Sequence, residues 1–254
     1  MLTDQKDFAA ISINHQLIDR KSKSSNHSKG IFTNEIFKNI RATLLKIHEI
    51  CNQSDSNFFL VLIIFLKNKF IHRKSILMHP RVIIHGYKNI KSDTVLQIGL
   101  GNAKFVHKYD VTLLNISGSL FFKGNHTIGR GCRFDIAKNA IVIIGRNGYI
   151  NANSTFIIKH KLTIGNSCVI SWNCQILDED FHEISYSGKI LKSNDVSIGN
   201  HVWVGCDVKI YKGTIIPDGC VIAAGSMVRG IFTDANTLIG GNPAKVIKQK
   251  ITWD

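Results

Sequence analysis

Ser197-Ile-Gly-Asn-His-Val-Trp-Val-Gly-Cys-Asp-Val-Lys-Ile-Tyr-Lys-Gly-Thr-Ile-Ile-Pro-Asp-Gly-Cys-Val-Ile-Ala-Ala-Gly-Ser-Met-Val228 is the stretch that decides the fold. Ile198, Val204, Ile210, Ile216, Ile222 and Val228 stand six residues apart without a miss. Ile, Leu and Val make up 70 of the 254 residues. Six such hits at a chosen phase therefore arise by chance about once in 10³–10⁴ windows, which marks an internal repeat. A period of six is neither helical nor that of a plain alternating strand. It fits a short flat strand plus a turn. Three such units close one triangular coil of eighteen residues, the parallel β-helix solution to stacking hexapeptides. The aliphatic points inward at each step. Gly and Asn follow it at corners, where left-handed backbone angles cost them little. Residues eighteen apart then stack: Ile198 on Ile216, Val204 on Ile222, Ile210 on Val228.

Working outward, Ile158, Ile164, Ile170 and Ile176 keep the same spacing, and Ile-Gly pairs recur back to Ile98-Gly99. The fold class expected is mainly β: a parallel β-helix over 81–254, with a small helical N-terminal segment in 1–80. Residues 178–195 leave the coil after Ile176 and rejoin it at Val196. A polar excursion from a rigid solenoid is where binding and catalytic groups tend to sit. A tail follows Val228. Residues 1–30 are polar and read as a flexible arm. Asn34 is expected to cap a helix whose apolar face is Phe37, Ile40, Leu44 and Ile47. A second helical segment, 57–70, carries the apolar run 58–66 and is followed by Lys67, Lys69, Arg73 and Lys74. It suits either packing on the main domain or a membrane interface, with the basic residues on phosphates.

The net charge of +14 comes from 32 Lys+Arg against 18 Asp+Glu. It suits an anionic partner: nucleic acid, a phosphorylated cofactor, an acidic glycan or a membrane face. Nucleic-acid binders interleave aromatics with basic residues in a groove, and no such cluster stands out, so no nucleic-acid partner is expected. The six cysteines form no Cys-x-x-Cys, and the polar, mixed-charge opening at residues 1–10 leads us to expect no signal peptide. Free thiols and a cytoplasmic location are expected, the N-terminal segment being the candidate for contact with the inner face of the membrane. The apolar run is too short to span a bilayer.

Together with Gly241-Asn-Pro-Ala-Lys-Val-Ile247, the stretch 197–228 resembles the hexapeptide-repeat acyltransferases, in particular the galactoside and maltose O-acetyltransferases. The excursion with His182 is closer in look to the branch that acetylates capsule and O-antigen sugars. The resemblance is clear over about 144–250. It implies a left-handed β-helix, a homotrimer, and acetyl-CoA held in the groove between two prisms, with no metal. The family's general base falls on His182. A sugar hydroxyl is a poor nucleophile while protonated, and an imidazole, ordinarily near pKa 6.5, can take its proton as attack begins. Asp180, two residues earlier, is a candidate to orient that ring, and Glu183 is the alternative. The family's acceptor-binding Asn falls on Asn151, whose amide can donate to and accept from sugar hydroxyls. The backbone N–H that serves the family's oxyanion falls on Cys206, where the side chain is of no consequence. Trp203 and the Ala224 amide would line the pantetheine arm, and Arg229, Lys245 and Lys248 are the cations for the phosphates. The family has Thr-Lys where Arg229-Gly230 stands here.

The function expected is acetyl transfer from acetyl-CoA to a sugar hydroxyl of a surface polysaccharide or its precursor. Transfer to an amino sugar is the alternative within the family. A non-enzymatic β-helix scaffold or binder of anionic surfaces would not need the His182 loop. A zinc-dependent hexapeptide carbonic anhydrase would need several histidines facing one point, including a pair five apart, and no pair has that spacing.

Overall fold

The computed structural model describes residues 26–101, 105–107, 109–183, 185, 187–188 and 193–254; within 26–36 only the backbone is described. The chain winds as a three-sided prism. The first coil lays Ile76–Met78 on face 1, Val82–His85 on face 2 and Ile90–Ser92 on face 3. Later coils stack on it in parallel, giving sheets of nine, seven and six strands. The stacking expected from the period is observed: Ile198 pairs with Ile216, Val204 with Ile222 and Ile210 with Val228. All six are buried, within one apolar core that runs from Ile76 to Ala244. The corners follow the same logic. A Cβ on Gly145 would lie 2.4 Å from the Gly165 carbonyl oxygen, and one on Gly165 would lie 2.5 Å from Gly199. These glycines stack where faces 3 and 1 meet, and the coils close up only because none carries a side chain.

The period fades in the lower coils because each turn there is longer. Phe134 stacks on Phe156, 22 residues on, and Ile76 on Leu96, 20 residues on. Strands of four or five residues, such as Thr112–Ile116, lengthen each side. The first strand begins at Ile76, so residues 76–80 belong to the prism and not to the segment before it.

Two helices cover the lower end. Helix α1 spans Asn26–Gln53 and helix α2 spans Phe58–Phe70. Asn57 caps α2, its side chain accepting from the Leu60 N–H at 3.0 Å. Asn34 does not stand at a helix start: α1 begins at Asn26, so Asn34 lies inside the helix and residues 26–30 are helical, not arm. Nothing between 26 and 34 stops a helix, for there is no Pro, and a capping residue ends a helix only where the backbone leaves it. The rest of the expected arm, 1–25, lies outside the described residues. Of the apolar face expected on α1, only Ile47 is buried; with Cys51 and Val61 it covers Leu77 on the outside of face 1. The buried Asn68 of α2 donates to the Ile76 carbonyl at 2.9 Å, and Arg130 donates to the Ser54 carbonyl at 2.8 Å, tying the helices to the coils. At the upper end, Leu238–Gly241 extends face 1 and turns into the antiparallel Ala244–Lys248.

Two excursions leave the prism. Residues 178–195 leave where faces 2 and 3 meet. Residues 99–111, which the six-residue pattern did not mark, leave where faces 1 and 2 meet.

Candidate active site

The long excursion is clamped at its root. Asp178 is wholly buried, and its two carboxylate oxygens accept from the Lys159 and His160 N–H groups of the coil below, at 2.7 and 2.8 Å. The His160 imidazole Nε2 lies 2.9 Å from the Glu179 carboxylate, and the Asn194 amide lies 3.0 Å from the same nitrogen. His160 thus gathers the outgoing and returning limbs. Its hydrogen bond is the main reason the Glu179 carboxyl lies below its ordinary range. The next residue reaches upward: Asp180 pairs with Lys212 at 2.8 Å and Arg229 at 3.7 Å, both from higher coils at the same corner. Phe181 then takes a left-handed angle, φ 62°, and turns the chain just before His182. That angle is uncommon for a bulky side chain and marks a constrained turn. His182 is exposed at the turn. The Asp180 carboxylate is therefore turned to two cations, and among the described residues no contact joins it to His182. Arg229 is engaged at the root of the loop. Glu183 is exposed beside His182.

The remaining candidates stand at a different corner. Asn151, Trp172, Cys206 and Ala224 follow successive strands of face 1, one coil apart, where faces 1 and 2 meet. Asn151 is half-buried, and its side-chain oxygen accepts from the Ala152 N–H at 2.9 Å. Among the described residues, the N–H groups of Cys206 and Ala224 donate to no carbonyl, leaving two backbone donors open on one edge. Gly205 brings these turns together: a Cβ there would lie 2.7 Å from the Ala224 nitrogen. Trp203 stands outward on face 1, its ring held by an Nε1–H donated to the Ser171 hydroxyl at 3.2 Å. Lys245 and Lys248 are exposed on the last strand of that face.

Pattern reading did not single out three features of these corners. Asp178 is the first; its signal is an acid two residues after Ile176, the last inward aliphatic before the excursion. Trp172 stands between Asn151 and Cys206, with Phe105 of the shorter excursion against it at 5.6 Å, ring edge to face. Trp253 stacks on His201 at 4.0 Å and anchors the tail beside Trp203.

One chain does not bring His182 to Asn151 and Cys206. A prism side of about six residues, at roughly 3.3 Å each, puts neighbouring corners about 20 Å apart. His182 lies two residues beyond the pinned Asp180, a reach of about 7 Å at most.

Residues 195–230 match the family of bacterial transferase hexapeptide (six repeats) proteins. The chain is 36% identical over 220 residues to an uncharacterized 24.8 kDa protein in the cps region of Klebsiella pneumoniae, covering 86% of this chain and 99% of that one. It is 33% identical over 143 residues to a protein of Escherichia coli strain K12 named as a lipopolysaccharide biosynthesis O-acetyl transferase, WbbJ, covering 52% of this chain and 72% of that one. The chain belongs to the hexapeptide-repeat acyltransferases. Its prism is the left-handed β-helix of that family. A maltose O-acetyltransferase from Clostridium difficile 630 aligns over 52% of this chain and 71% of its own, at 34% identity and a TM-score of 0.44. Among the described residues, no group of three or more His, Cys, Asp or Glu side chains is placed to hold a metal ion, and no helix is long and apolar enough to cross a membrane.

Proposed function

We propose that this hexapeptide-repeat protein is an acetyl-CoA-dependent O-acetyltransferase that acts on a sugar hydroxyl of a surface polysaccharide or its precursor. The observation that carries the reading is the clamped excursion, a rigid root that ends in a tight turn presenting His182 to solvent. Family membership and the name of the Escherichia coli relative support acetyl transfer to oxygen in lipopolysaccharide synthesis as the class of reaction. The open N–H of Ala224, beside the fixed ring of Trp203, suits a pantetheine arm lying along face 1. Lys245 and Lys248 suit its phosphates.

When bound, acetyl-CoA supplies the activated thioester carbonyl. His182 takes the proton of the sugar hydroxyl as that oxygen attacks the thioester carbonyl, and returns it to the CoA sulfur as the C–S bond breaks and CoA leaves as a thiol. The Cys206 N–H is the donor for the oxygen that gains negative charge. Asn151 orients the acceptor through its amide. Asp180 works as a strut, holding the loop to Lys212 and Arg229.

The two corners meet only between copies. In a homotrimer, the loop corner of one prism faces the Asn151–Cys206 corner of the next, and a closed ring makes three such sites. Transfer of labelled acetyl from acetyl-CoA to a panel of capsular and lipopolysaccharide oligosaccharides, read by mass spectrometry with calorimetry of CoA binding alongside, tests the reading. Mass gain on a hydroxyl is expected. No CoA binding at millimolar concentration would end it.

A further inference from the structure

The surface that acyl transfer leaves unused is the lower end of the prism. Helix α2 buries Val61 and Asn68 against the coils and turns Phe59, Ile63, Leu66 and Phe70 outward, between 43% and 76% exposed. These four recur at helical spacing, so they form one continuous apolar stripe. The stripe continues onto α1: Phe59 meets Phe58, Phe58 meets His48, and His48 lies one turn from the exposed Leu44. Exposed apolar ridges of this length on a monomer mark a contact surface.

The charge around the stripe says what it contacts. Residues 56–92, which make up α2 and the whole first coil, contain seven Lys and Arg and no Asp or Glu. At the end of α2 opens a cleft of about 250 Å³ lined by Arg73, Lys74, Ser75, Lys91, Ser92 and Asp93, among others. Lys74 is fixed across it by donating to the Ile90 carbonyl. Arg73, in a left-handed conformation at φ 53°, stays exposed at its edge. The cleft is polar and mainly cationic, although Asp93 forms part of its wall.

We infer that the lower end of the prism docks on an anionic phospholipid bilayer, the α1–α2 stripe lying in the interface and the Arg73–Lys91 cleft taking a lipid phosphate. Helix α2, of 13 residues, is about 20 Å long and cannot cross a hydrocarbon core of roughly 30 Å, so it lies along the surface. His182 leaves the prism at the fifth coil, four coils above that end. At about 4.8 Å per coil it stands roughly 20 Å along the prism from that end, clear of the docking surface. Three coplanar ends in a trimer would bind together far more tightly than one.

Flotation of the full chain with phosphatidylcholine vesicles, and with vesicles carrying 30% phosphatidylglycerol, tests this without acyl transfer. Binding to the anionic vesicles alone is expected, weakening as salt rises. Arg73→Gln with Lys91→Gln should weaken it roughly tenfold. Phe59→Ser with Ile63→Ser and Phe70→Ser should abolish it while particle size and CoA binding are kept. Equal binding to both vesicle types, or to neither, would overturn the inference. So would a triple-Ser variant that binds like the parent, or one that changes only the particle size, which would give the stripe to a contact between copies.

Discussion

At the scale of single residues, the reading of His182 depends on a side chain that does nothing for the fold. It is exposed and lies near the start of a loop whose anchors are other residues. His182→Ala should therefore leave the melting temperature within about a degree, since surface substitutions away from special features cost little. Turnover should drop about 10²–10⁴-fold, the usual contribution of a general base. CoA affinity, measured by calorimetry, should hold, because Trp203, Cys206 and Ala224 stand at another corner. A turnover loss below threefold would make His182 an ordinary loop residue. The expected site residues were legible in the sequence only through the resemblance. Their neighbours were not: nothing local says that Asp180 meets Lys212 and Arg229, which lie 32 and 49 positions later.

At the scale of elements, the excursion is held by its first residues. Asp178 satisfies two backbone N–H groups from a fully buried position. Asp178→Ala leaves both unpaired, at a cost of about 1–3 kcal/mol. Urea unfolding should show that loss. Because the root would open with it, turnover should fall while CoA binding stays near the parent value. A loss of stability with turnover intact would show that the loop keeps its geometry through His160 and Asp180 alone. The period was legible for elements above residue 155 and faint below. The physical reason is strand length: a four-residue strand adds residues to a coil without changing its shape.

At the scale of the molecule, one prediction follows from how the corners are arranged and one from what the prism buries. Mixing His182→Ala and Asn151→Ala copies and letting the trimers reassemble should restore about a quarter of the parent activity, since a quarter of the interfaces then pair two intact corners. Two inactive parents with no recovery on mixing would place both residues in one copy's site. The second prediction concerns acid. His126 and His79 are buried, and burial, aided at His79 by Arg130 and Arg81, lowers each imidazole from 6.5 to about 4. In the unfolded chain both protonate near 6.5. The folded state then binds fewer protons, so stability is full above pH 6.5 and is lost as pH falls toward 4. Each residue contributes up to about 3 kcal/mol to that loss. Urea midpoints at pH 7.5 and 4.5 should differ clearly, and His126→Phe should narrow the gap. An unchanged gap would mean that other groups carry the acid sensitivity.

The sequence by itself determined the prism. The inward position of a coil recurs at a fixed chain distance, so one strand of text carries it, and the same arithmetic set the stacking partners of Ile198, Val204 and Ile210. It also placed α2, because an apolar run is local; the Asn57 cap came from the structure. Only the tertiary structure decided which corner each functional candidate occupies, that Asp178 and His160 root the loop, that Trp172 meets Phe105, and that α2 keeps an apolar face uncovered. Those outcomes come from contacts between coils and excursions of unequal length, and unequal length is what a repeat cannot encode.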